Sequence, residues 1–313
     1  KKGFGTCYQT GCIIDASHRL VVTSDQIFSQ QNDSEITVYF PLYEKSLNQP
    51  VSDLSRYKSS SSLAFRTTAR VVLRYSEANL ALLQLAQLAP NAQAAVLPLQ
   101  SSVPTNQKVY TLRNMVTGQS KLWHLANDKV QQEDKNSLLE DLDNLLDANE
   151  KQAEKQVLAA FGIDDLEREM KADELQELIG IQRQMLRTVK KLIERENGLP
   201  NGDSRLFITH TDSDNDISGG PVANDKAELV GLLVQRHPRN RQMCFNIHVS
   251  VIEQAVQEYF KGKNQTWTPV RGRQAMAEAQ ARQYVEKLIQ ALEKRTNEET
   301  NEERSKALRK LAE

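Results

Sequence analysis

Between residues 128 and 197 the chain has no proline and only two glycines, Gly162 and Gly180. Leu, Glu, Lys, Gln and Asp dominate there instead. A stretch purged of the two strongest helix breakers is committed to helix. Leu138, Leu142, Leu145 and Leu146 form one apolar stripe. Leu175, Leu178, Gln182, Met185, Val189 and Leu192 form another at close to seven-residue spacing. Phe161-Gly-Ile163 followed by Asp164-Asp165 reads as a helix stop and then an N-cap. The block is therefore expected to be two long helices, with a third short one, folded as an antiparallel hairpin. Asn197 to Gly202 ends it.

On both sides of this block the pattern is β. Gly11–Asp15 and Leu20–Thr23 are short apolar runs around a polar turn, and Glu35–Phe40 alternates. After a loop centred on Ser59–Ser62 come Ala69–Leu73, Leu80–Leu85, Lys108–Leu112 and Lys121–Leu125. Beyond the block, Arg205–Thr209, Glu228–Val234 and Met243–His248 continue the series. Short strands at close spacing predict a barrel or sandwich. Ser250 to Phe260 reads as an amphipathic helix, and a polar helix is expected from Gln274 to Lys294. The length of 313 residues suits roughly two domains. The pattern divides it instead into a β domain (1–127 with 203–262), an inserted hairpin (128–202) and a helical tail (263–313).

Charge and apolar content exclude several roles. Lys and Arg total 40 against 41 Asp and Glu, which argues against nucleic-acid binding by bulk electrostatics. No run of about 18 apolar residues exists to span a membrane. The block itself is acidic and the remainder more basic. Cys7, Cys12 and Cys244 form no Cys/His cluster with zinc-ligand spacing, so no metal is expected. A turn over Tyr8–Gly11 would bring Cys7 and Cys12 together as a disulfide, whereas a straight strand would hold them apart. The start at Lys1-Lys2 reads as a trimmed or processed product, which leaves room for a signal peptide or anchor before it.

One local motif carries chemistry: Ser218-Gly219-Gly220-Pro221, followed by a turn and Glu228–Val234. A serine before two glycines lets backbone pass close beneath a substrate carbonyl. Gly11-Cys-Ile-Ile-Asp15, Leu20-Val-Val-Thr-Ser-Asp-Gln-Ile-Phe28, Glu77-Ala-Asn-Leu-Ala-Leu-Leu-Gln-Leu85, Ile208-Thr-His-Thr-Asp212 and Cys244-Phe-Asn-Ile-His-Val-Ser-Val-Ile252 stand in matching order around it. Together these segments resemble the chymotrypsin-like (trypsin-like) serine proteases of the HtrA/Deg type. The resemblance implies a mainly β fold, a double β-barrel here interrupted by the helical hairpin and followed by the tail. No PDZ-like segment follows.

The resemblance also assigns an active site, and the assignment is degenerate. Its histidine position falls on Gln26, whose amide cannot act as a general base. Its aspartate position falls on Asn79, and its nucleophile position on Ser218. Asp216 and Ile217 replace the residues that shape the oxyanion loop, with Gly219 and Gly220 retained. A carboxylate at Asp216 opposes a developing oxyanion. The expected function is a proteolytically inactive pseudoprotease that binds proteins through the hairpin or through its peptide cleft. It would sit in the periplasm, within a larger envelope assembly or a homo-oligomer, and need no cofactor. The alternatives are an active serine endopeptidase using Ser218 with a non-standard base, and a noncatalytic sensor regulating a partner protease.

Overall fold

The computed structural model describes residues 9–25, 36–44, 49–51, 53–59, 65–90, 92–99, 103–115, 121–148, 151–155, 172–195, 205–211, 219–240 and 242–271. The chain divides into two units. One comprises Lys1–Phe40 and Ser52–Gly272; the other comprises Pro41–Val51 and Arg273–Glu313. In the smaller unit the described residues form a short hairpin of β4 (Tyr43–Glu44) and β5 (Gln49–Pro50), closed by the Val51 N–H donating to the Leu42 carbonyl at 2.6 Å. The expected helix from Gln274 lies outside the described residues.

The larger unit starts with an antiparallel sheet. Its strands are β1 (Gly11–Asp15), β2 (Leu20–Ser24), β3 (Ile36–Tyr39), β6 (Arg66–Tyr75) and β7 (Leu80–Leu85), in the order β1-β2-β7-β6-β3. Six further strands close into a barrel: β8 (Lys108–Met115), β9 (Lys121–Gln131), β10 (Leu206–Thr211), β11 (Pro221–Ala223), β12 (Leu229–Arg236) and β13 (Met243–His248), in the order β10-β13-β12-β11-β8-β9. A mainly β fold with inserted helices is thus present, with one closed barrel and one five-stranded sheet among the described residues.

Where strands alternate or run apolar in sequence, they form as the pattern predicts. β12 and β13 are buried along their full length, as continuous apolar runs should be. α1 (Leu54–Ser59) is a helix where the Ser-rich sequence predicts only loop. Its Tyr57 is fully buried beside Tyr39, Phe65 and Trp123. That aromatic packing supplies what the local propensity lacks.

The insertion is helical as expected. α2 (Lys135–Leu146) begins at Asp134, whose carboxylate accepts the Ser137 N–H at 2.8 Å. Residues 151–155 are helical, and α3 spans Ala172–Arg195. The stop expected at Phe161–Asp165 lies outside the described residues. β9 continues to Gln131, past the boundary read from sequence, and pairs with β10 from Asp128↔Thr211 to Gln131↔Ile208.

The apolar stripes of the two helices do not only satisfy each other. Leu138, Leu142 and Leu145 of α2, with Leu186, Val189, Leu192 and Ile193 of α3, share one core with Leu80 and Leu82 of the sheet and Leu206 and Ile208 of the barrel. The same core takes Val251, Ile252, Ala255, Val256 and Phe260 from α4 (Val249–Lys261). A separate cluster fills the barrel with Val109, Val130, Phe207, Val222, Val230 and Leu233.

Candidate active-site region

The site read from sequence spans the end of β2, the turn before β7 and the approach to β11. Gln26, Asp216, Ile217 and Ser218 lie outside the described residues, but their immediate neighbours are placed. Asp25 donates its N–H to the Asn79 carbonyl at 2.9 Å. The β2–β7 register, running from Leu20↔Gln84 to Ser24↔Leu80, brings the two together. Asn79 closes the 3-10 turn Ser76–Ala78 with φ 54° and ψ 39°, the left-handed region that Asn and Asp tolerate best among residues with a Cβ. An amide can therefore replace a carboxylate there without changing the turn.

Asp25 is the titratable group of this region. Burial pushes its carboxyl up to about 6, opposed by Arg74, whose Nε lies 3.7 Å from Oδ1. The Asp25 side chain makes no hydrogen bond to Oδ1 among the described residues. Beside it, Gln9 donates Nε2 to the Ser24 carbonyl at 3.0 Å and to Ser24 Oγ at 2.7 Å. Thr23 donates Oγ1 to the Thr10 carbonyl at 2.7 Å. Sequence reasoning missed Gln9, Thr23 and Ser24. The β1–β2 pairing Gly11↔Thr23 is the only signal that would have found them, and it requires the register.

Gly219 and Gly220 are required by packing. Gly219 adopts φ +92°, and a Cβ there would lie 2.3 Å from the Thr10 carbonyl oxygen and 2.8 Å from Thr23 Oγ1. A Cβ at Gly220 would lie 2.1 Å from the Leu112 carbonyl oxygen. The Gly219 N–H donates to the Leu233 carbonyl at 2.6 Å, and the Leu233 N–H to the Gly220 carbonyl at 2.8 Å. These contacts account for both glycines without any substrate.

Across the barrel, Arg113 and Asp128 form an ion pair with both side chains fully buried. Arg113 Nη1 also donates to Thr211 Oγ1 at 3.0 Å, and Thr111 Oγ1 to Asp128 Oδ2 at 2.6 Å. Thr211 ends β10, while Gly220 rests on Leu112. Thr211 and Gly220 thus rest on the adjacent β8 residues Arg113 and Leu112.

All five histidines are placed, and among the described residues no hydrogen bond or ion pair joins one to Asp25 or Asn79. His18, in the β1–β2 turn, stacks edge-on against Phe260 and lies 3.2 Å from Asp15. Ser17 Oγ is 3.0 Å from His18 Nδ1 but donates to Asp15 Oδ1 at 2.7 Å, so this Asp-Ser-His trio caps a turn and leaves no activated hydroxyl. His124 stands opposite Arg113 in the β8–β9 register. His210 Nε2 lies 3.1 Å from Glu133. His237 is buried against α2, and His248 caps α4 by accepting the Ser250 N–H at 3.2 Å.

Of the expected pair, Cys12 is a free thiol and Cys7 lies outside the described residues. Cys12 sits within β1 with Sγ near its neighbour's carbonyl (Ile13, 3.8 Å), and burial of the thiol pushes it up to about 12. No group of three metal-ligating side chains occurs among the described residues.

No family model and no curated protein matches this chain. Among solved structures it is similar to the inactive form of the Rv3671c protease of M. tuberculosis, with 11% identity, 80% of this chain and 83% of that chain covered, and a TM-score of 0.42. It is similar to Deg5 with 14% identity, 78% and 79% coverage and a TM-score of 0.39. It is also similar to the MamO protease domain of Magnetospirillum magneticum, with 14% identity, 78% and 85% coverage and a TM-score of 0.37.

Proposed function

We propose that this chain is a trypsin-like pseudoprotease of the HtrA/Deg kind that no longer cuts and acts as a protein-binding or scaffold module. One observation carries the reading. The Asp25–Asn79 pairing, where a serine protease of this fold would hold its imidazole and orienting carboxylate, has an amide at Asn79 and no hydrogen bond to a histidine among the described residues. Gln26, next in the chain, supplies none. Without a base the serine hydroxyl keeps its proton, and loss of triad members costs about 10⁴–10⁶ in kcat. Retention of Gly219 and Gly220 is no counterargument, because packing explains them.

A fluorophosphonate probe tests this directly. No labelling of the folded protein above a Ser218→Ala control is expected; stoichiometric labelling that depends on Ser218 would overturn the reading. Asp25 gives the active-enzyme alternative a specific candidate, since a carboxyl near 6 can accept a proton at neutral pH. Labelling lost in both Ser218→Ala and Asp25→Asn would establish that second reading.

The binding role is tested on the exposed faces of the hairpin. Arg187 and Lys191 of α3 point to solvent. Arg187→Glu with Lys191→Glu leaves the buried face intact, and a pull-down from native membranes should then lose partners that the unmodified chain retains. An extracytoplasmic, envelope setting rests on the segment resemblance alone, and fractionation of cells carrying the tagged protein tests it. No helix among the described residues is long and apolar enough to cross a membrane.

A further inference from the structure

Outside the site just described, a buried titratable side chain joins the insertion to the barrel. His237, at the end of β12, is 1% exposed. Its Nδ1 faces the backbone N–H groups of Arg239 at 3.3 Å and Asn240 at 3.0 Å, and accepts from both. The ring proton therefore sits on Nε2, which lies 2.8 Å from Asp141 Oδ2 on α2. Arg239 reaches the other Asp141 oxygen at 3.0 Å and the Asn144 carbonyl at 3.4 Å. The 237–240 turn thus grips α2 through one carboxylate and one helix carbonyl, and the hydrogen bonds that shape the turn depend on a neutral imidazole.

We propose that His237 makes this grip an acid-sensitive clasp between the helical insertion and the barrel. A second proton has only Nδ1 to occupy. There it confronts two N–H donors, and the hydrogen bonds that shape the turn are lost. The charged groups facing the ring are Asp141 from α2, Glu133 from the β9–α2 connection and Arg239 from its own turn. β13 contributes the ring of Phe245, at 5.8 Å between centroids. Burial disfavours the imidazolium, Asp141 and Glu133 favour it, Arg239 opposes it, and burial is the largest effect, so the group is held below its ordinary 6.5.

The sign follows from linkage. With the folded value below the unfolded one, the unfolded chain binds the proton first. The clasp is at full strength above pH 6.5 and weakens as pH falls below it. Acid therefore loosens the turn's hold on α2.

The experiment is amide hydrogen exchange on the full chain, corrected for intrinsic rates, across pH 7.5 to 5. Protection of the Arg239 and Asn240 amides should fall by roughly tenfold per unit of unfavourable protonation. In His237→Asn, whose side-chain oxygen can take over the Nδ1 acceptor role and does not titrate, protection should be flat. An equal fall in both proteins would overturn the proposal. Imidazole nitrogen shifts of the unmodified protein give an independent reading. The Nε2-protonated tautomer should persist to below pH 6.5, and a His237 that titrates at or above that value would overturn the clasp even if the variant fails to fold.

Discussion

At the scale of single residues, Asp25 is where the candidate site stores an electrostatic cost. Its carboxyl is raised from an unfolded value near 3.8 to about 6 by burial. Its neutral form thus favours folding at low pH, and that contribution disappears as pH rises through about 6. Asp25→Asn keeps the neutral shape at all pH values. It should stabilise the protein at pH 7.5 by about 1 kcal/mol after allowance for solvent screening, seen as a higher melting temperature, and change little at pH 4. A thermal melt at both pH values checks this; stabilisation at pH 4 alone would contradict it. Gly219→Ala is expected to cost more than about 3 kcal/mol, since positive φ and a collision with the Thr10 carbonyl coincide. The sequence revealed this region unevenly. The amides at Gln26 and Asn79 can be read from the sequence, because the segment resemblance sets them where it expects an imidazole and a carboxylate. The burial of Asp25 and the packing demand at Gly219 were invisible, because both arise where β1, β2 and the approach to β11 meet.

Among the elements, the helical insertion was the most legible in kind and the least legible in context. Composition and spacing identified both helices. Nothing in a stripe of leucines says whether its partner is the other helix or a barrel. Here Leu142 is fully buried in a core shared by α2, α3, sheet and barrel. Leu142→Ala should therefore destabilise the whole larger unit by about 2–5 kcal/mol, seen as a lower single transition in denaturant melts. An insertion packed only on itself would instead give two transitions, with the barrel's midpoint unchanged. α1 shows the opposite failure: its serines argue for loop, and only the aromatic surroundings of Tyr57 reverse that preference.

For the whole molecule, the buried Arg113–Asp128 pair sets a strong constraint. Asp128→Asn leaves a guanidinium inside the barrel without its counter-charge and should cost about 3–5 kcal/mol. Urea melts would measure it, and a loss below 1 kcal/mol would mean that water reaches the site. The barrel as a class could be read from strand spacing; its interior charge could not, since Arg113 and Asp128 look like surface residues in an alternating strand. The pairing of β9 with β10 carries one more consequence. Gln131 lies opposite Ile208, so residues 132–205 begin and end on neighbouring antiparallel strands, and the whole insertion is topologically one oversized β-turn. Barrel closure must then wait for the two ends of a long loop to meet. A variant with a short turn joining β9 directly to β10 should lower the contact order and refold faster. It should also unfold faster, having lost the apolar surface that the hairpin buries.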